Sequence, residues 1–246
     1  MLQRLRKARL MWPTLTALLG LAVLVGLGHW QIERKRWKED LIATIAARVH
    51  QDPAPLPATA GAGAKRDLDY LHVSIIGRFH HDKERYLYAP TAGNPGWHVY
   101  TPLELPWQRV VWVNRGWVPD ARKAPETRPQ GQIQGEVEVR GLVRGEARPD
   151  LFTAHNDRVH NVWYWPDVPA MTASAFAGGR LAADPLPIVI EADAQPEPPG
   201  GLPRGGVTRL ELPNRHLEYA LTWYGLALAL GGVYLALAVS RLRAAA

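Results

Sequence analysis

The sequence predicts a membrane-anchored α+β fold: two transmembrane helices flanking a mainly antiparallel β domain whose sheet is partly closed or barrel-like. Three observations predict it. No Asp, Glu, Lys or Arg occurs in the 22 residues between Glu218 and Arg241. A second run of 23 residues, Leu10 to Ile32, carries no formal charge when His29 is taken as neutral. Between these runs the chain reads as strand after strand, with one soluble helix. Each charge-free run is long enough for a helix across a hydrocarbon core of about 30 Å.

Residues 1–10 form a tail carrying Arg4, Arg6, Lys7 and Arg9, and residues 11–31 form the first span. A basic head and an apolar middle also fit a cleaved signal peptide. However, the run leads into Gly28-His29-Trp30-Gln31 with no small-x-small site, and a near-equal second span lies at 219–240. An anchored hairpin is the simpler reading, with both termini on one side. Basic residues on the opposite flanks, such as Arg34, Lys38, Arg204 and Arg215, balance those of the tails, so a simple count does not orient the chain. The short, wholly basic tail on a signal-like span does. It places residues 1–10 and 241–246 in the cytoplasm and the middle domain outside it.

Composition narrows the function. The 187 residues between the spans, 32–218, are enough for one domain with a hydrophobic core. The formal charge of +6 is scattered, with local excess at the membrane flanks. That pattern points to anionic lipid as a partner and not to nucleic acid. With no cysteine, the chain has no disulfide framework and no thiolate metal site.

After the first span, residues 32–50 predict a juxtamembrane helix, with Trp37, Leu41, Ile45 and Val49 on one stripe. Residues 51–66, rich in proline and glycine, form a linker. The β-rich domain occupies residues 67–213. Its strands are Leu71 to Phe79, Tyr86 to Ala89, Trp97 to Leu105, Arg109 to Val118, Gly135 to Val143, Val162 to Trp165 and Leu186 to Glu191. The third and fourth are hairpin partners across Pro106-Trp107. A helix from Asp167 to Phe176 is capped by Asp167 with Pro169 in its first turn.

Catalytic chemistry is not evident. His80-His81-Asp82 reads as a surface pair at a strand end, because no further histidines recur at ligand spacing. The glycines near Gly201, Gly205 and Gly206 follow no strand–helix pattern of a phosphate cradle. No serine has a nucleophile's context, and the chain is not read as an enzyme. The six tryptophans from Trp97 to Trp165 pack a core or present a partner surface. In Asn114-Arg115-Gly116-Trp117, strict alternation puts Arg115 and Trp117 on one face and leaves Gly116 free for close backbone approach. Arg115 then meets a carboxylate partner or a structural ion pair.

The membrane edges carry the best chemical clue. His29 ends the first span and His216 begins the second, so an outside domain puts both at one leaflet. On a helix, His216, Tyr219, Ala220 and Trp223 share a face. An imidazole beside an aromatic shelf is suited to bind haem iron, or simply to hydrogen-bond to headgroups at a helix end.

Five stretches then resemble the surfeit-locus (Shy-type) family of cytochrome c oxidase assembly factors. They are Leu27-Gly28-His29-Trp30-Gln31-Ile32-Glu33-Arg34-Lys35-Arg36-Trp37-Lys38, Gly77-Arg78-Phe79, Val111 to Pro119, Asn161-Val162-Trp163-Tyr164-Trp165 with Asp167, and Asn214 to Trp223. They stand in family order and spread over most of the chain.

The resemblance implies a domain in the periplasm or the intermembrane space, held by two helices. It implies a role in placing haem a, or haem o in a related oxidase, into subunit I of a haem-copper oxidase. Partners would be subunit I and other oxidase assembly factors. The short basic tails look like those of a bacterial member, in the bacterial inner membrane with a periplasmic domain. The family's haem-linked histidine falls on His216, which becomes the expected ligand to haem iron. His29 is a second candidate, Tyr219 and Trp223 would line the site, and Arg34, Arg36 or Arg215 would meet propionates. Asn114, Arg115, Gly116 and Trp117 carry the central signature as a structural or partner surface. The alternative is a cofactor-free scaffold that stabilises an assembly intermediate. A copper chaperone lacks its thiolate and thioether ligands.

Overall fold

Helix α1, Met11–Val49, runs unbroken for 39 residues. At 1.5 Å per residue it is about 58 Å long, nearly twice a hydrocarbon core. The membrane span and the expected juxtamembrane helix are therefore one element. Helix α3, His216–Ala244, closes the chain with 29 residues, and Arg241 and Arg243 in its last turn complement the helix dipole. The computed structural model describes residues 10–57, 68–91, 93–145, 147–177, 179, 185–208, 210 and 213–244. Arg4, Arg6, Lys7 and Arg9 of the expected tail, and residues 58–66 of the expected linker, lie outside them.

The chain divides into a helical unit, Met1–Thr44 with Glu211–Ala246, and a second unit, Ile45–Leu210. In the helical unit, α1 and α3 pack antiparallel through small residues. Ala17, Ala220 and Ala227 are buried, and a Cβ on Gly28 would lie 2.7 Å from the Tyr224 ring. Such close approach lets the helices gain contact where lipid tails provide no hydrophobic drive. Thr14 and Tyr234 share a 2.6 Å hydrogen bond at the opposite end of the pair. Only 11% and 6% of the most apolar stretches of the two helices are buried. A core helix of a soluble protein would be mostly covered. Leu19, Leu228 and Val233 stand 66%, 78% and 69% exposed, as lipid-facing side chains do.

The second unit is built on a mixed sheet of eight strands: β1 (Ala54–Pro55), β2 (His72–Phe79), β3 (Arg85–Tyr88), β4 (Gly96–Glu104), β5 (Val110–Pro119), β6 (Glu136–Gly145), β7 (Val162–Trp163) and β8 (Ile188–Ala192). Antiparallel pairing dominates, while β1–β2, β3–β7 and β5–β8 are parallel. Neighbours run β2-β6-β8-β5-β4, and β4 returns to β2 through Arg78↔Glu104 and Phe79↔Leu103. Five strands thus close into a ring, as the expected barrel-like sheet requires.

Alternation explains the ring. Val73 and Ile75 on β2, Leu103 on β4, Val111 and Val113 on β5, Val139 and Val143 on β6, and Ile188 and Ile190 on β8 fill one core cluster. The opposite face of β4, β5 and β8 presents Tyr100, Trp112 and Val189, covered by Trp163 of β7 and by helix α2, Val168–Ala175. Asp167 caps α2 by accepting a 3.0 Å bond from Ala170 N–H, and Trp112 Nε1 donates to Thr172 Oγ1 at 2.8 Å. The expected cap and Pro169 in the first turn are both present.

Strict alternation fails between β4 and β5. The β4–β5 register shifts between His98 and Tyr100, so Arg115 and Gly116 together oppose Val99. This bulge turns Trp117 onto the face of its partner His98, away from the interior face shared by Val113 and Arg115. The expectation that Arg115 and Trp117 share a face is corrected on that ground. The close backbone approach at Gly116 is present: φ is +119°, and a Cβ would lie 1.9 Å from the Arg204 carbonyl oxygen. Trp117 and Arg204 exchange backbone bonds of 2.8 and 2.9 Å beside it. Gly116→Ala therefore combines backbone strain with a clash. It should destabilise the protein by about 3 kcal/mol or more, read as a lower denaturation midpoint of the detergent-solubilised chain.

Candidate functional site

The helical unit brings the paired motif residues together. At the start of α3, half-buried His216 faces α1, and its Nδ1 lies 2.7 Å from Oε1 of Gln31. Gln31 is 9% exposed, one helical turn from Gly28, which meets Tyr224. Lys38 donates to the Pro213 carbonyl, and Asn214 Nδ2 reaches the Lys35 carbonyl at 3.5 Å. The segment entering α3 is thereby tied to α1.

The expected site residues separate by exposure. Trp223 is half-buried on the same side as His216 and the fully buried Ala220, whereas Tyr219 is 55% exposed. His29 points out, its side chain 67% exposed, with Nε2 3.3 Å from Glu33. His216 and His29 are therefore not equivalent: one is packed and oriented, the other is on the outer surface. Arg215 Nε and Nη2 both donate to Oε2 of Glu218, at 3.0 and 2.8 Å, and the Arg34 guanidinium stacks over Trp37 at 3.9 Å. Gln31 is the partner that sequence reading missed. The signal was available: on a helix, Gln31 shares a face with Gly28 and Lys35, while His29 does not.

The central signature sits in the second unit around a buried carboxylate. Glu84, just ahead of β3, is 3% exposed. Its Oε2 accepts from Arg128 and, at 3.1 Å, from Tyr86 Oη; its Oε1 lies 3.4 Å from both Arg115 and Thr101 Oγ1. Arg115 also donates to the Gly131 carbonyl, and approaches His81 Nδ1 at 3.3 Å. Its partner is thus structural. Burial works to raise the Glu84 pKa, but the approach of His81, the bonds from Arg128 and the charges of Arg128 and Arg115 hold it below the ordinary carboxylate value. Burial, opposed by Glu84, lowers the Arg115 pKa to about 10, so it stays charged at neutral pH.

Asn114 on the opposite face is 1% exposed, with Oδ1 accepting from Gly116 N–H at 3.1 Å. The His80–His81 pair is not at the surface as expected. His80 Nε2 lies 2.9 Å from Glu104, and His81 Nε2 donates to the Ile133 carbonyl at 2.8 Å, both half-buried. Among the described residues no group of three or more His, Cys, Asp or Glu side chains is placed to hold a metal ion.

Comparison with known proteins places this arrangement. The model of the SURF1 family matches residues 18–228, which include most of α1, the first part of α3 and the whole ring. The chain belongs to the SURF1 family. It is similar to Surfeit locus protein 1 of Mus musculus, 39% identical over 224 residues, covering 85% of this chain and 70% of the mouse protein. The human Surfeit locus protein 1 is 38% identical, covering 83% and 70% of the two chains. A SURF1-like protein of Monosiga brevicollis is 38% identical, with 86% and 82% covered. These SURF1 relatives are eukaryotic. On that finding the expectation of a bacterial member is corrected, and with it the bacterial inner membrane and the periplasmic domain. Family membership and two helices long and apolar enough to cross a bilayer stand.

Glu84→Gln tests the buried network. It leaves Arg115 and Arg128 without their counter-charge and should cost about 3–5 kcal/mol. Because the folded pKa is depressed, the Glu84 contribution is complete above the ordinary value of 4.5 and is lost as pH falls through the lower folded value. Acid unfolding curves should show wild type losing its advantage over Glu84→Gln as pH drops below that point.

Proposed function

We propose that this chain is an assembly factor for cytochrome c oxidase that helps deliver haem a to oxidase subunit I, with His216 as ligand to the haem iron. Membership of the SURF1 family supports the assembly role, together with the match of the closing motif to His216. The observation that carries the haem reading is the setting of His216. Its imidazole is half-buried at the start of α3, next to Ala220 and Trp223, and Gln31 engages Nδ1. Nε2 is then the ring nitrogen left to meet iron, so the residues fit the group.

Bound there, haem a supplies the redox-active iron centre that the oxidase requires. The chain's own part is to hold and release. Trp223 provides apolar surface against a macrocycle, and the α1–α3 seam keeps the His216 ring from turning away. His29, exposed and paired with Glu33, is the weaker of the two ligand candidates. Cationic groups at this end, Arg34, Arg36 and Arg215, suit propionates or anionic lipid headgroups.

A cofactor-free scaffold is the second reading, and one observation favours it. In the second unit, Leu151 and Phe152 are 98% and 96% exposed on a turn that Asp150 organises through bonds to Phe152 N–H and Thr153 Oγ1. Apolar side chains held out in this way suit contact with a protein surface.

One experiment separates the readings: purification in detergent from cells that make haem a, with an absorption spectrum and pigment extraction. Wild type should carry haem. His216→Ala should lower haem per protein at least about tenfold while membrane level and folding persist, and His29→Ala should have the smaller effect. A haem-free wild type that still co-purifies with an oxidase subunit supports the scaffold. Unchanged haem content in His216→Ala rejects the ligand assignment.

A further inference from the structure

The two nitrogens of a neutral imidazole are not interchangeable: one carries a proton, and only the other has a lone pair to give. A free histidine side chain favours the proton on Nε2, which would close that nitrogen to a metal. At His216 the neighbouring group works against this preference. The Gln31 Oε1 atom, an acceptor only, lies 2.7 Å from Nδ1, so a bond between them requires the proton on Nδ1. Gln31 is 9% exposed and sits in the packed seam one turn from Gly28, where a Cβ would strike the Tyr224 ring. Neither its backbone nor its neighbours leave it free to drift.

We infer that Gln31 is a positioning residue that fixes the His216 tautomer, placing the proton on Nδ1 and presenting the Nε2 lone pair on the outer side of the ring. The use of that lone pair for iron rests on the haem reading above; the tautomer itself does not. An acceptor behind a ligating imidazole also orients the ring and raises its basicity, and losing such a partner typically weakens a metal site about 10–100-fold. His29 has a carboxylate, Glu33, at its Nε2 instead, so the two histidines are prepared oppositely.

The test begins without haem. The full chain is labelled with ¹⁵N-histidine, purified haem-free in detergent and studied by NMR near pH 8, with the His216 signals identified by their absence in His216→Ala. Wild type should show Nδ1 protonated and Nε2 bare. Gln31→Leu should move the proton to Nε2, and Gln31→Glu, which keeps an acceptor, should hold it on Nδ1. On adding haemin, Gln31→Leu should bind about 10–100-fold more weakly than wild type, and Gln31→Glu should restore binding with a shifted Soret band. A wild-type His216 protonated on Nε2 would overturn the inference, since the Gln31 amide would then present its NH₂ to the ring. So would a tautomer that ignores Gln31→Leu. Should that variant disturb the helix pair, Gln31→Met and the wild-type tautomer decide. The predicted tautomer in a chain that binds no haemin would sink the haem reading and leave the Gln31 assignment intact.

Discussion

A carboxylate that is 3% exposed must be neutralised where it stands, and much of the second unit is arranged to meet that demand at Glu84. Arg115 reaches it from β5, Arg128 from the proline-rich loop, Thr101 from β4 and Tyr86 from β3. Three separated pieces of chain converge on one charge, beside a tyrosine two residues from it. Removing water from three ions is costly, and their attraction offsets that cost only with good geometry. The network's net gain is therefore small beside the cost of breaking it. An alternative packing that parted Arg128 from Glu84 would bury an unpaired charge, which ties the long loop between β5 and β6 to one position.

The helical unit obeys a related constraint with fewer groups. Its seam is made of alanines and glycines, small enough for ring and backbone to meet, and most of its large apolar side chains face outward. Polar side chains within it stand where partners are available: Thr14 with Tyr234 at one end, Gln31 with His216 at the other. Each of these contacts joins the two helices at one end of their seam and fixes the geometry there.

Much of this was legible in the residues. The charge-free runs gave the helices, alternation gave the strands and their inward faces, and Asp167 with Pro169 gave the start of α2. Two kinds of feature were not. Alternation carries no marker for an inserted residue, so the bulge at Arg115-Gly116 and the resulting turn of Trp117 needed the register itself. Long-range polar partners were equally hidden. Nothing near Glu84 in the sequence announces Arg115 or Arg128, and their convergence depends on ring closure. Gln31 was a nearer miss, because helical spacing already put it on the face of Gly28, while the eye is drawn to His29. The parallel β5–β8 pairing also had no local sign, since β8 arrives after α2 and a long connection.

Ring closure has a consequence for how this domain meets other molecules. Among the described residues, the outermost strands of the sheet, β1 and β7, are two residues each, and β1 ends in Pro55. Such stubs offer almost no run of unpaired N–H and C=O groups. At these two ends of the sheet, strand addition by a partner or by a second copy is disfavoured. Recognition at those ends falls to side chains and loop tips, where a single substitution alters it without touching the fold.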